Sequence, residues 1–117
     1  SNLIRFLQTP YIDGGQTSLA DYGYLYVPTA CANGALCHLH VSFHGCEQTE
    51  ADIGNAYASQ GGFNQWAEAN NIIVLYPYAK ESEVPFNPHG CWDWWGYTEK
   101  LYYGTRLGQQ IIFVRNL

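Results

Sequence analysis

The sequence predicts an α/β fold, with a mostly parallel sheet, an N-terminal antiparallel hairpin and flanking helices. Stretches of alternating polar and apolar residues come early in the chain, and a continuously apolar stretch at residues 72–76 suits a strand covered on both faces. Segments with helical patterns lie between and after these strands. With 117 residues, 47% hydrophobic and 13% charged, the chain has the composition of one globular domain, which we place at residues 1–117.

Two strands are predicted in the first half of the chain. Residues 22–28 alternate by side and end in proline, and residues 38–43 place Leu, Val and Phe on one face and His, His and Ser on the other. The Asn-Gly pair at 33–34 readily adopts the positive φ angles of a tight turn. We therefore expect these strands to form the hairpin, clamped by a disulfide between Cys31 and Cys37.

Helices are predicted on either side of the apolar strand. Thr49 can cap a helix that begins near Glu50, and Gly61-Gly62 separates it from a second short helix at 63–69. Residues 80–103 are rich in Pro, Gly and aromatic residues and indicate a long loop. Residues 105–117 indicate a final helix, and 3–6 a short edge strand. The predicted buried stripe of the final helix consists of Leu107, Ile111 and Val114, with Ile112 as a further candidate.

Charge and cysteine content limit the classes of partner. The net charge is −5 and the five Lys and Arg residues are scattered, so there is no basic stripe for nucleic acid. No apolar stretch approaches the length of roughly 20 residues that a bilayer requires, and we expect no membrane partner. Four cysteines in a short chain are typical of an oxidising compartment, which predicts a secreted, extracellular or periplasmic protein.

The end of the second strand carries the residues that suggest chemistry. Phe43-His44-Gly45-Cys46 has the His-Gly pattern of a loop whose backbone N–H stabilises an oxyanion in acyl transfer. The candidate donor is the main-chain N–H of Cys46; Gly45 allows close approach of the backbone, and His44 orients the loop rather than exchanging protons. An ordinary strand-to-loop turn is the alternative for so short a motif.

Four blocks of sequence extend this interpretation to the whole chain. They are 24–28 (YLYVP), 37–46 (CHLHVSFHGC), 66–77 (WAEANNIIVLYP) and 90–97 (GCWDWWGY). Taken together, they resemble the polyhydroxybutyrate (PHB) depolymerase family of esterases, in the α/β-hydrolase superfamily. The resemblance implies a partial α/β-hydrolase fold, a Ser-His-Asp triad, exported action, and hydrolysis of hydroxybutyrate polyesters through an acyl-enzyme without metal or organic cofactor.

The nucleophile of such an enzyme is absent from this sequence. No Gly-x-Ser-x-Gly motif surrounds any serine, so we expect the chain alone to be inactive and to need the missing half of its own domain. The chain could be the front half of a conventionally ordered enzyme or the C-terminal half of a circularly permuted one. The permuted order is favoured, because the start at residues 3–6 and the terminal helix resemble the final half of those members.

The cysteines and tryptophans suggest how the site is built. If Cys31 pairs with Cys37, Cys46 is left for Cys91, which is one of three possible connectivities. That bridge would tie the oxyanion loop to a tryptophan-rich loop, in which Asp93 accepts ordering hydrogen bonds. Core packing is the alternative role for the indoles. The expected substrate crevice is lined by Trp92, Trp94 and Trp95.

Three alternatives remain at this stage. A related feruloyl or acetyl-ester hydrolase would share the machinery and differ in the crevice. A metal-binding module could use His38 and His40 with His44, His89 or the cysteines, although the cysteine spacing lacks the close pairs of zinc sites. A noncatalytic aromatic surface could bind polymer or carbohydrate, but the buried strand at 72–76 argues against the usual β-sandwich.

Overall fold

The computed structural model describes residues 2–15 and 17–117. Within these residues four strands form one mixed sheet in the order β1-β2-β4-β3. The strands are β1 (Leu3–Leu7), β2 (Tyr22–Tyr26), β3 (His38–Val41) and β4 (Ile72–Tyr76). The α/β class is confirmed, and so are the edge strand at the N-terminus and the central position of the apolar strand.

The pairing of the strands differs from the expected one. β1 pairs antiparallel with β2, and β2 pairs antiparallel with β4, whereas β3 and β4 are parallel. The expected hairpin of β2 with β3 is wrong, and so is the mostly parallel sheet. β4 lies between the two strands because its apolar residues need cover on both sides: Val74 is 1% exposed and Tyr76 is fully buried.

The connection between β2 and β3 explains why no tight hairpin forms. It contains a short helix, α1 (Thr29–Ala32), and turns at Gly34, whose φ is +98°. Asn33 keeps a negative φ of −92°, so the Asn-Gly pair does not form the two-residue turn with positive φ at both positions. The antiparallel pair at the N-terminus is instead β1 with β2, connected through residues 8–21.

Further helices lie between β3 and β4 and after β4. They are α2 (Glu50–Ile53), α3 (Ala56–Gln60), α4 (Phe63–Asn70) and α5 (Gln109–Asn116). The predicted cap at Thr49 is confirmed, because its side chain and that of Asp52 form a capping box. The single helix expected after this cap is divided at Gly54, where φ is +62°. No helix in the described ranges is long and apolar enough to cross a membrane.

The final helix buries a different face from the predicted one. Gln110 and Phe113 are buried, whereas Leu107 is 58% exposed and Ile111 is 44% exposed. Leu107 lies before the first residue of α5, so it falls outside the helical repeat. Phe113 packs inward, and the side that carries Ile111 and Val114 turns toward a hollow described below.

A buried glutamine extends the sheet beyond its strands. Gln8 is fully buried. Its Nε2 donates to the carbonyls of Ala20 and Tyr78 at 2.8 and 3.0 Å, and its Oε1 accepts from the Tyr78 N–H at 2.9 Å. The side chain therefore pairs backbone groups that no strand satisfies. The core beside it consists of Tyr24, Ala58, Ala67, Val74, Tyr76 and Tyr78.

Candidate active site

The site lies in the turn between β3 and α2. Ser42 still pairs with the sheet, through its N–H to the Leu75 carbonyl at 2.9 Å. The chain then leaves the sheet: His44 is 3% exposed, and Cys46 is exposed within a turn. The residue predicted as oxyanion donor is thus free of regular sheet pairing.

His44 is held as a neutral, loop-ordering side chain. Its Nε2 lies 3.1 Å from the Ala79 N–H and accepts from it, so we assign the ring proton to Nδ1, which donates to the Gly45 carbonyl at 2.7 Å. Burial lowers the pKa of this imidazole, and the hydrogen bond to Gly45 and the charge of Asp52 oppose that shift less strongly. The ring packs against Tyr78 and Trp92, with centroids 5.0 and 5.6 Å away.

The amides of Gly45 and Glu47 in this turn have acceptors, and the Cys46 amide has none among the residues that the structure describes. The Gly45 N–H donates to Gln48 Oε1 at 2.6 Å, and the Glu47 N–H donates to the His89 carbonyl at 2.7 Å. Within residues 2–15 and 17–117, no acceptor lies in hydrogen-bonding range of the Cys46 N–H. The Cys46 amide is therefore open to an external acceptor, as are the N–H groups of His44 and Gln48, which also have no acceptor among the described residues.

The two disulfides of the structure are Cys31–Cys37 and Cys46–Cys91, the pairing favoured above. The second brings the Cα atoms of Cys46 and Cys91 within 4.3 Å. Gly90, beside this bridge, has a φ of +61°, and a Cβ there would lie 2.3 Å from the Thr49 methyl carbon. The close approach of the two segments thus requires glycine at this position.

Asp93 orders the tryptophan-rich segment, as expected. Its Oδ1 accepts from the N–H groups of Trp95, Gly96 and Tyr97 at 3.3, 2.6 and 3.0 Å. Its Oδ2 accepts from the N–H and the hydroxyl of Thr98. One carboxylate therefore satisfies four backbone donors of the loop, which is the role of an Asx-type turn rather than of a triad acid.

Gln110 connects this segment to α5 and was not singled out from the sequence. It is 7% exposed. Its Oε1 accepts from the Asp93 N–H at 2.8 Å, and its Nε2 donates to the Thr17 carbonyl and the Tyr97 hydroxyl at 2.9 and 2.7 Å. The sequence shows only a polar residue within a predicted helix, and apolar periodicity does not indicate that this residue is buried.

Next to the turn lies an apolar hollow of about 400 Å³. It is lined by Phe43, Trp92, Asp93, Tyr103, Gly104, Gln110, Ile111 and Val114. The rings of Phe43 and Trp92 meet edge to face at 5.1 Å. Of the three predicted crevice residues, Trp92 lines the hollow, whereas Trp94 is 71% exposed and packs on Trp95 at 5.1 Å, outside this lining.

The residues proposed for a metal module do not converge. All four cysteines are in disulfides, and no group of three His, Cys, Asp or Glu side chains suited to a metal occurs in the described part of the chain. His40 lies beside Phe63 with ring centroids 5.8 Å apart, and His89 pairs with Glu47 at 3.1 Å. These histidines are therefore not gathered around a common centre.

The described residues form a mixed sheet flanked by helices, and the solved structures reported below share this fold, which is that of a partial α/β-hydrolase. No family model matches the chain, but curated relatives do. The chain is 38% identical over 97% of its length to a poly(3-hydroxybutyrate) depolymerase of Delftia acidovorans. It is 42% identical over 81% of its length to a polyhydroxybutyrate depolymerase of Talaromyces funiculosus. The chain is therefore similar, over most of its length, to a part of these polyhydroxybutyrate depolymerases.

Solved structures agree with this similarity. A PHB depolymerase complexed with R3HB trimer matches with a TM-score of 0.85 at 36% identity, and the PHB depolymerase from Penicillium funiculosum matches with 0.83 at 32%. Each match covers 96% of this chain and 37% of the solved chain. The chain spans 22% and 30% of the lengths of the two curated relatives.

Proposed function

We propose that this chain is part of a serine esterase that hydrolyses polyhydroxybutyrate or hydroxybutyrate oligomers through an acyl-enzyme, and that it supplies one oxyanion donor and part of the substrate crevice. The observation that carries the proposal is the Cys46 N–H, which lacks an acceptor in the described ranges and sits in a turn fixed to Cys91. The names of the relatives support the substrate class.

The proposed chemistry assigns a separate task to each residue of the turn. A serine outside this sequence attacks the ester carbonyl, and negative charge develops on the carbonyl oxygen. The Cys46 N–H donates to that oxygen, and removal of such a donor typically costs about 3 kcal/mol of transition-state stabilisation. His44 and Gly45 set the loop geometry: Nδ1–H of His44 holds the carbonyl of the peptide whose N–H belongs to Cys46.

The hollow beside the turn suits an apolar ester chain. Phe43 and Trp92 form its aromatic wall, and Ile111 and Val114 face it from α5. One solved relative is complexed with R3HB trimer, whose repeats carry methyl groups that an indole face can pack against. We place Trp92 in the crevice, with Trp94 and Trp95 extending its aromatic surface; a feruloyl or acetyl ester is not favoured by the relatives.

The chain is proposed to work only with the rest of its domain. Among the described residues β3 pairs with β4 on one side only, and its Leu39 is 63% exposed. A further strand beside β3 would pair the backbone groups on its open edge and extend the sheet. In this proposal residues 1–117 form a partial domain, the permuted order remains a prediction, and the two disulfides support an exported location.

The test compares this chain with the full-length gene product that carries it. Each is incubated with a chromogenic butyrate ester and with a hydroxybutyrate trimer, at equal concentration. We expect turnover by the full-length protein and background hydrolysis by the 117-residue chain. Turnover by the chain well above background would contradict the division of labour. Absence of ester hydrolysis by the full-length protein would contradict the function itself.

A further inference from the structure

We propose that Gln48 is a positioning residue for the oxyanion donor: by accepting the Gly45 N–H, its side-chain amide fixes the backbone rotation that aims the Cys46 N–H. The inference rests on the proposed esterase function. Its starting observation is the 2.6 Å contact between Gly45 N and Gln48 Oε1, formed by a side chain that folds back three residues along the chain.

Gly45 is the position where such a restraint is needed. Without a Cβ, its φ and ψ are freer than those of any other residue in the turn. The peptide between Gly45 and Cys46 is planar, so its carbonyl and its N–H point in opposite directions and rotate together. Any rotation at Gly45 therefore redirects the Cys46 N–H.

Two side chains restrain this rotation from opposite ends of Gly45. Nδ1–H of His44 holds the Gly45 carbonyl at 2.7 Å, and Gln48 holds the Gly45 N–H. One hydrogen bond fixes one point of a peptide plane and leaves the plane free to pivot about it. The second bond removes that pivot, because it fixes the amide on the other side of the same Cα. Because the Gly45 N–H already donates to Gln48, it does not compete with the neighbouring Cys46 N–H for the ester oxygen.

The backbone of Gln48 is itself anchored, so its side chain can act as a fixed point. On one side the Glu47 N–H donates to the His89 carbonyl at 2.7 Å, and Glu47 adopts a φ of +60°. On the other side Thr49 is 1% exposed and caps α2. A residue between two such anchors cannot shift freely, and the reach of its side chain is set by its length.

The test uses two variants of the full-length protein, Gln48→Met and Gln48→Asn. Methionine keeps the length and lacks the amide oxygen, whereas asparagine keeps the amide and is too short by one methylene. The matched control is Gln65→Met, because Gln65 is exposed on α4. For both Gln48 variants we expect kcat on a soluble butyrate ester to fall about 10- to 100-fold, as for a misplaced catalytic group. KM and the thermal midpoint should match the control.

Other outcomes overturn the inference in recognisable ways. Unchanged kcat in Gln48→Met would show that the contact does not position the donor. A fall in kcat that is matched by a rise in KM and a lower thermal midpoint would assign Gln48 a purely structural role. If the unsubstituted full-length protein hydrolyses no ester, the proposed function fails first; if it is active and both Gln48 variants equal the control, this inference alone fails.

Discussion

Cys46 and Cys91 are joined by a disulfide with their Cα atoms 4.3 Å apart, although 45 positions separate them in the sequence. The bridge holds the turn after β3 against the segment that begins with Trp92. The same segment is ordered by Asp93 and tied to α5 by Gln110. The candidate donor and the aromatic wall of the hollow are therefore parts of one cross-linked unit, and its bonds can be tested one at a time.

Removal of the Cys46–Cys91 bridge should destabilise the protein more than removal of Cys31–Cys37. The first closes a loop of sequence separation 45 and the second one of 6, for which loop entropy alone gives about 4 and about 2 kcal/mol. Denaturant unfolding of the two double Cys→Ser variants measures both losses. Equal losses, or a larger one for the shorter loop, would contradict the prediction.

Asp93→Ala should lower the free energy of unfolding by about 2–3 kcal/mol, because four backbone donors and the Thr98 hydroxyl lose a charged acceptor. Tryptophan fluorescence should change with it, since Trp94 and Trp95 flank the turn. The control is Asp13→Ala at an exposed carboxylate, for which we expect a change within about 0.5 kcal/mol. Similar stability of the two variants would refute the assigned role.

The buried His44 should make the protein less stable in mild acid. Burial lowers the pKa of His44 in the folded state below its ordinary value of 6.5. Below about pH 6.5 the unfolded chain therefore binds a proton that the folded chain refuses, and stability falls until the pH reaches the folded-state pKa. We expect the free energy of unfolding to decline between about pH 7 and pH 5.

His44→Gln should flatten that decline, and His38→Gln, at an exposed position on β3, should preserve it. The measurement is denaturant unfolding at several pH values. Carboxylates whose pKa is lowered, such as Glu50 beside Arg5, lose their contribution only at more acidic pH, so they do not obscure this window. An identical decline in both variants would remove His44 as its source.

Trp92→Ala should raise KM for a hydroxybutyrate trimer more than Trp94→Ala does. Trp92 lines the hollow beside Phe43, whereas Trp94 is 71% exposed and lies outside the lining. Loss of one aromatic wall should raise KM of the full-length protein about ten-fold, and thermal midpoints control for misfolding. A larger rise in KM for Trp94→Ala would contradict the prediction and indicate that the substrate binds on the outer face of the loop.

Features of the fold that depend on residues close together in the sequence could be predicted from it. The cap at Thr49, the apolar strand at 72–76 and the ordering role of Asp93 each depend on neighbours a few residues away. Strand pairing depends on the whole sheet: nothing near residues 33–34 reveals that β4 inserts between β2 and β3. The buried face of α5 also depends on distant segments, because Gln110 packs and hydrogen-bonds against Asp93 and Thr17. Apolar periodicity within the helix therefore does not predict it.

The candidate site divides in the same way. His44, Gly45 and Cys46 are adjacent in sequence, so their pattern could be recognised directly. Sequence patterns do not single out Gln48, because its proposed role depends on the direction of its side chain, which accepts the Gly45 N–H. Sequence spacing also grouped three tryptophans, although the fold turns Trp94 outward and keeps Trp92 at the hollow.

The proposed function depends most on the Cys46 N–H, which donates a hydrogen bond to the negatively charged oxygen of the reacting ester. A crystal structure of the full-length protein inactivated by an alkylphosphonate ester tests it most directly, because the phosphonyl oxygen mimics the oxyanion. We predict that this oxygen lies about 2.7–3.1 Å from the Cys46 nitrogen, next to the Trp92 ring. A phosphonyl oxygen bound elsewhere, with the Cys46 N–H paired to another protein group, would contradict the claim.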